Sequence, residues 1–194
     1  MQRPKSVFRL MAEPLTVALA LAFAARAVVR IYAVPSTSMS PTLQMGDRIL
    51  VTNSAGDNLE RGVVVVFRSS AGAELLVKRI VAVPGELVES RDGRFAVSGR
   101  ILDEGYLLPN SKTTDVPRQI VPSGCYFVMG DNRENSVDSR VLGVIPASRI
   151  VGRARLVLWS ATGTSSHSAA NAAAALTFPG IQSDTGLRLF HPIE

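Results

Sequence analysis

The stretch Pro35–Leu43, "PSTSMSPTL", holds three serines and two threonines and carries no charge. A serine hydroxyl is a weak nucleophile until a neighbouring base takes its proton. The two histidines, His167 and His191, both lie in the Ser/Ala-rich C-terminal stretch, which argues against a Ser-His-Asp arrangement. A lysine can replace histidine if burial brings its pKa toward neutrality. Lys78, in "ELLVKRIVAV", is the candidate. Strand alternation puts Leu76, Lys78 and Ile80 on one face and Val77, Arg79 and Val81 on the other. The lysine then has an apolar neighbour on each side along its face. A third group is "GDNRENSVDSR", Gly130–Arg140, rich in acids, arginines and serines. It reads as a capped surface turn, as a calcium-type loop, or as an ion-pair scaffold. The calcium spacing is not matched, and two arginines oppose a divalent cation. In the scaffold reading Asp138 pairs with Arg140 or Arg133 and holds a nearby serine against the lysine.

These groups must be carried by a β-rich body. "RILVT" (48–52), "VVVVFR" (63–68), "ELLVKRIVAV" (74–83), "CYFVM" (125–129) and "RIVGRARLVLW" (149–159) are β-branched or apolar runs. Asp92-Gly93 between two strand-like runs is the strongest hairpin signal. Residues 103–122 read as a polar excursion. The stretch 161–194 is Ser/Ala-rich and is expected to be a poorly ordered tail.

The chain of 194 residues suffices for one core. With 46% hydrophobic and 19% charged residues it is neither disordered nor a multi-span membrane protein. The net charge of +5 is spread along the chain without a Lys/Arg run, which gives no nucleic-acid signature. The single Cys125, in a strand-like run, reads as a small core residue, and one Cys with two His leaves no local zinc constellation.

Residues 14–25, "PLTVALALAFAA", carry no charge, and Arg26 and Arg30 interrupt the next stretch. A spanning helix needs about 20 apolar residues. A cleaved signal peptide and a buried helix are alternatives; a retained single anchor over 13–33 is the reading adopted. Arg3, Lys5 and Arg9 precede it, so residues 1–12 are expected to be cytoplasmic and residues 34–160 to form an extracytoplasmic domain.

Taken in order, these elements resemble the bacterial type I signal peptidases, membrane-anchored proteases with a Ser-Lys dyad. "PSTSMSPTL" is similar to the family's P-S-x-S-M-x-P-T-L box, and "GDRILVTN" (46–53) to the box that follows it. "VKRIVAVPGE" (77–86) resembles the lysine box, although it ends in Glu86 where aspartate is usual. "GDNRENSVDSR" resembles the last box. The resemblance spans roughly residues 15–159. It implies a mainly β fold of short, coiled antiparallel sheets behind a single N-terminal transmembrane helix.

The resemblance further implies Ser38 as nucleophile and Lys78 as general base. Ser36 joins the Ser38 backbone N–H in the oxyanion hole. Ser136 orients Lys78, and Asp138 and Arg140 brace that serine. Met39, Leu43, Leu76 and Val77 line the substrate pockets. No cofactor or metal is implied. The expected partners are signal peptides of exported preproteins, cut after small residues at −1 and −3, and the lipid bilayer of the cell membrane. Because a salt bridge would keep Lys78 charged, Asp138 is expected to pair with arginine rather than with Lys78.

Rival readings are a catalytically silent, membrane-tethered binding protein and a Ser-Lys self-cleaving repressor. The second needs a DNA-binding amino half where this chain has an apolar segment. The S-x-x-K pattern of β-lactamases is not met by "SMSP" or "SPTL".

Overall fold

The structure is a computed structural model that describes residues 14, 16–17, 29–54, 59–70, 72, 74–159 and 188–189. The β1 strand is Val29–Ala33, β2 Arg48–Thr52, β3 Val64–Arg68 and β4 Leu75–Ala82. The next are β5 Leu87–Arg91, β6 Arg94–Val97, β7 Arg100–Ile101, β8 Gln119–Ile120 and β9 Cys125–Met129. A single helical turn, Ser139–Leu142, precedes β10 Ile145–Pro146. A short 3-10 turn, Ala147–Arg149, leads into β11 Ile150–Trp159, and β12 is Arg188–Leu189. The larger sheet runs β1-β2-β11-β3-β4-β9-β10 with β12 beside β11; the smaller runs β7-β6-β5-β8. All pairings are antiparallel.

The apolar run of β3 follows from its burial on both faces. Val64 and Val66 pack with Ile49, Val51, Val77, Ala154 and Val157 in one core. Val65 and Phe67 pack with Ile80, Tyr126, Val128 and Ile145 in another. A third core joins the small sheet to the large one, with Phe95 stacked on Phe127 at 5.6 Å. The β5–β6 hairpin turns through Asp92 (φ 51°) and Gly93 (φ 73°), two consecutive left-handed residues as a type I′ turn requires. At the β4–β5 turn Glu86 accepts the Val83 N–H at 2.9 Å and pairs with Arg61. The glutamate in the lysine box thus holds the turn.

Two expectations need correction. Residues 29–33, assigned to the anchor, are strand β1, paired residue for residue with β2. Backbone groups bonded to a sheet cannot also continue a spanning helix, so residues 29–33 belong to the sheet and not to an anchor. The excursion 103–122 is less polar in its packing than in its composition. Val116 and Val121 are buried, and its end forms β8 against β5.

Among the described residues no helix is long and apolar enough to cross a membrane. The expected cytoplasmic segment 1–12 lies outside the described residues. So does the anchor up to residue 28, apart from the helical Pro14, Thr16 and Val17. The tail 161–194 also lies outside them, apart from β12.

Candidate active site

The serine loop leaves β1 and is closed at its base by two backbone bonds. Val34 N–H donates to Asp47 O and Gly46 N–H to Val34 O, each at 2.8 Å. Inside the loop Ser40 N–H reaches Thr37 O at 3.0 Å and Leu43 N–H reaches Met39 O at 2.9 Å. Met39 and Leu43 are fully buried in the first core. Two apolar side chains thus pin a hydroxyl-rich loop to the body, and Ser38 is held between them and the third loop.

Lys78 Nζ and Ser38 Oγ stand 2.6 Å apart, and Nζ also bonds Val77 O at 3.1 Å. Ser38 is 7% exposed and Lys78 2%, so water reaches neither freely. Burial is the largest influence on Lys78 and pulls its pKa from 10.5 to about 8. Asp138 and Asp131 oppose that shift, and Arg140 assists it. Ser36 Oγ lies 3.1 Å from Ser38 Oγ.

The third loop is fastened to the serine loop. Asn132 N–H donates to Ser38 O at 3.0 Å, and Asn135 Nδ2 to Thr37 Oγ1 at 3.2 Å. Gly130 sits where the two loops touch. A Cβ there would fall 2.2 Å from Ser136 Oγ and 2.5 Å from Ser38 O, which only glycine avoids.

Asp138 is fully buried and takes Arg140 in a bidentate pair, Nε to Oδ1 at 2.8 Å and Nη2 to Oδ2 at 2.7 Å. It also accepts Gly130 N–H at 2.9 Å. Burial pushes its carboxyl up, but the Arg140 hydrogen bonds and the Gly130 amide outweigh burial and hold its pKa low. As expected, its partner is arginine and not Lys78. Of the two arginines left open by the sequence, Arg140 is the one.

The bracing expected of Asp138 is seen at Ser136, while the bond expected from Ser136 to Lys78 is not formed among the described residues. The Ser136 Oγ donates to Asp138 Oδ2 at 2.7 Å. The hydroxyl gives its one proton to the carboxylate and keeps its lone pairs to accept; in this geometry Ser136 is fixed by Asp138.

The four expected pocket residues do not gather on one side. Met39, Leu43 and Val77 share the first core, whereas Leu76 packs on the opposite face of β4 against the core of Val65 and Phe67. The alternation read from the sequence already separates Leu76 from Val77.

Several residues of the site were not found from the sequence. Arg79 pairs bidentately with Asp131 (Nε to Oδ1 2.9 Å, Nη2 to Oδ2 2.6 Å) and donates to Gly62 O at 2.9 Å. Thr42 adds a hydrogen bond to Asp131 Oδ2 at 2.6 Å. This group joins the serine loop, the lysine strand and the third loop at one carboxylate. Arg133, whose side chain has no exposed surface, turns to Glu104 and to Thr113 Oγ1 (2.7 Å). The Tyr106 ring lies 4.1 Å from the Arg79 guanidinium carbon. A basic residue beside the lysine and an acid opening the "GDN" stretch were the available signals. Nothing in the sequence pairs residues 104 and 133.

Comparisons with known proteins agree on one family. The sequence model of the family described as "Signal peptidase, peptidase S26" matches residues 8–159. Signal peptidase I of Bacillus amyloliquefaciens is 39% identical over 140 residues, covering 66% of this chain and 72% of that protein. Signal peptidase IB of Staphylococcus aureus (strain COL) is 37% identical over 152 residues, covering 68% and 78%. A crystal structure of a signal peptidase I from Enterococcus faecalis V583 is 30% identical, covers 50% of this chain and 97% of that one, and has a TM-score of 0.44.

Proposed function

The chain belongs to the signal peptidase S26 family, and from that premise we propose that it removes signal peptides from exported preproteins through a Ser38–Lys78 dyad. As a member it is a serine peptidase; the residues and route are the present reading. The observation that carries it is the 2.6 Å approach of Lys78 Nζ to Ser38 Oγ between two buried side chains. A silent binding protein has no need of a buried lysine held against a serine.

Neutral Lys78 takes the Ser38 proton as Oγ attacks the scissile carbonyl. Negative charge on the tetrahedral oxygen is met by the Ser38 N–H and the Ser36 hydroxyl. Lysine then gives its proton to the leaving amine, and the acyl group stays on Ser38. A water deprotonated by Lys78 attacks the ester, and the returning proton restores the hydroxyl. A lysine with a pKa of about 8 is close enough to neutral pH to move a proton both ways.

The substrate strand has a place to bind. β4 pairs with β9 only from Arg79 onward, so among the described residues Leu75–Lys78 has no strand partner on that side, and this is where the reading docks an extended peptide. Met39, Leu43 and Val77, packed in the first core, form the floor beneath that edge. A closed floor suits the small residues at −1 and −3 and rejects larger ones by overlap, which is the more effective discrimination. Leu76 faces the other core and supports the edge from behind.

In this reading a single membrane anchor built on the apolar run 14–25 precedes β1, with Arg3, Lys5 and Arg9 toward its cytoplasmic end. The domain from residue 29 stands outside the cytoplasm, near the bilayer that holds the signal peptide.

The test is cleavage of a preprotein with an Ala-x-Ala site by the full chain in detergent. Cleavage by the intact chain and none by Ser38→Ala is the expected result. Cleavage that survives Ser38→Ala would place the nucleophile elsewhere. Ser36→Ala is expected to lower kcat about 10²–10³-fold with little change in KM, since its hydrogen bond forms only to the developing oxyanion. A change confined to KM would remove Ser36 from the oxyanion hole.

A further inference from the structure

A second polar site lies away from the dyad. A cleft of about 190 Å³ is lined by Arg30, Arg68 and Arg149, with Tyr32, Asn53 and Ser148 among its other walls. The three arginines arrive from different elements: Arg30 from β1, Arg68 from the end of β3, and Arg149 from the 3-10 turn before β11. Among the described residues no carboxylate lines the cleft. Among the described residues, the five ion pairs formed involve none of these arginines. Arg30 and Arg68 are exposed and Arg149 half-buried; the buried arginines near the chemistry are instead each matched, Arg79 to Asp131, Arg133 to Glu104 and Arg140 to Asp138. Three arginines lining one cleft with no counter-charge among its described walls repel one another, an effect that solvent weakens but does not remove. An anion entering the cleft relieves that repulsion. The planar fork of each guanidinium matches phosphate oxygens.

We propose that this cleft binds the phosphate of an anionic phospholipid headgroup. A free phosphate offers the same chemistry; position favours the lipid. Arg30 follows the uncharged run 14–25 by five residues, so the cleft lies where the chain leaves the membrane. This part rests on the anchor reading given under the proposed function. Arg68 lies three residues beyond Val65, the partner of Lys78 in β3, or about 10 Å along the strand. The lipid site is thus separate from the reacting atoms yet on the same sheet.

The test uses the full chain in neutral detergent, titrated calorimetrically with dihexanoyl phosphatidylglycerol and, separately, with inorganic phosphate. Saturable binding of one lipid is expected. The double variant R68Q/R149Q should bind at least tenfold more weakly, and R68K/R149K should fall between because it keeps charge and loses the fork. Both arginines are outside the proposed dyad, so preprotein cleavage in detergent should be unchanged. Absence of saturable binding, or equal affinity in the glutamine variant, overturns the site. Displacement of the lipid by equimolar phosphate overturns the lipid assignment in favour of a free anion. A glutamine variant that keeps the lipid but loses KM for preproteins acidic upstream of the cut gives the cleft to the substrate and also overturns the proposal. The titration reads binding without turnover, and cleavage is read on the same samples. A chain that binds lipid but cuts nothing loses the proposed function and keeps this site.

Discussion

Lys78→Met is expected to abolish cleavage and, at neutral pH, to make the protein more stable. Loss of the base should cost at least about 10⁴-fold in kcat/KM, the scale on which members of such catalytic units fail when removed singly. Stability moves the other way because the native protein buries a group that prefers to be charged. The Lys78 pKa falls from 10.5 in an open chain to about 8 in the fold. The unfolded chain therefore holds more protons between those values, and wild-type stability rises with pH across that window. Below pH 8 the full penalty applies, roughly 3 kcal/mol from a shift of about 2.5 units. Methionine removes it, while the lost hydrogen bonds return about 1 kcal/mol. The variant should gain about 2 kcal/mol at pH 7 in denaturant titration, and the gain should vanish as pH approaches 10.5. A variant less stable than wild type at pH 7 would mean that Lys78 is not held under strain by burial.

Asp131→Ala should produce the largest loss of stability. Arg79 has a side chain only 5% exposed and relies on Asp131 for both of its charge-assisted bonds. Removing one partner of a buried pair leaves an uncompensated charge and costs about 3–5 kcal/mol. The Tm should fall by many degrees, and cleavage should fall with it, because Thr42, Arg79 and the "GDN" loop all meet at this carboxylate. Asp131→Asn keeps the shape and one acceptor and should lie between. An alanine variant as stable as wild type would show that the three segments are held together by other contacts.

Local patterns explain which parts of this architecture were legible. The strands with strong alternation or β-branched runs stand where the sequence puts them. The Asp92-Gly93 turn is read from two residues because few others accept consecutive positive φ values. Lys78 stood out as a candidate from the apolar residues alternating around it, whereas Ser38 was picked from the loop's three serines only by the resemblance to the serine box. The start of β1 was not legible in practice. Val29, Ile31 and Ala33 suit an apolar helix as well as a strand, and only pairing with β2 decides. The Ser136–Asp138 contact, two residues apart, followed from the resemblance rather than from any local pattern. The Glu104–Arg133 and Arg79–Asp131 pairs span 29 and 52 residues; such contacts follow from topology, which composition does not encode.

The central claim is that a buried lysine, its pKa brought down to about 8 by burial, activates Ser38 in its neutral form. The most direct measurement is kcat/KM for an Ala-x-Ala preprotein from pH 6 to 10 with the full chain. The acid limb should have unit slope and an apparent pKa of about 8, the value that burial gives Lys78. A limb near 6.5, the ordinary range of histidine, or a rate flat down to pH 6, would contradict lysine as the base.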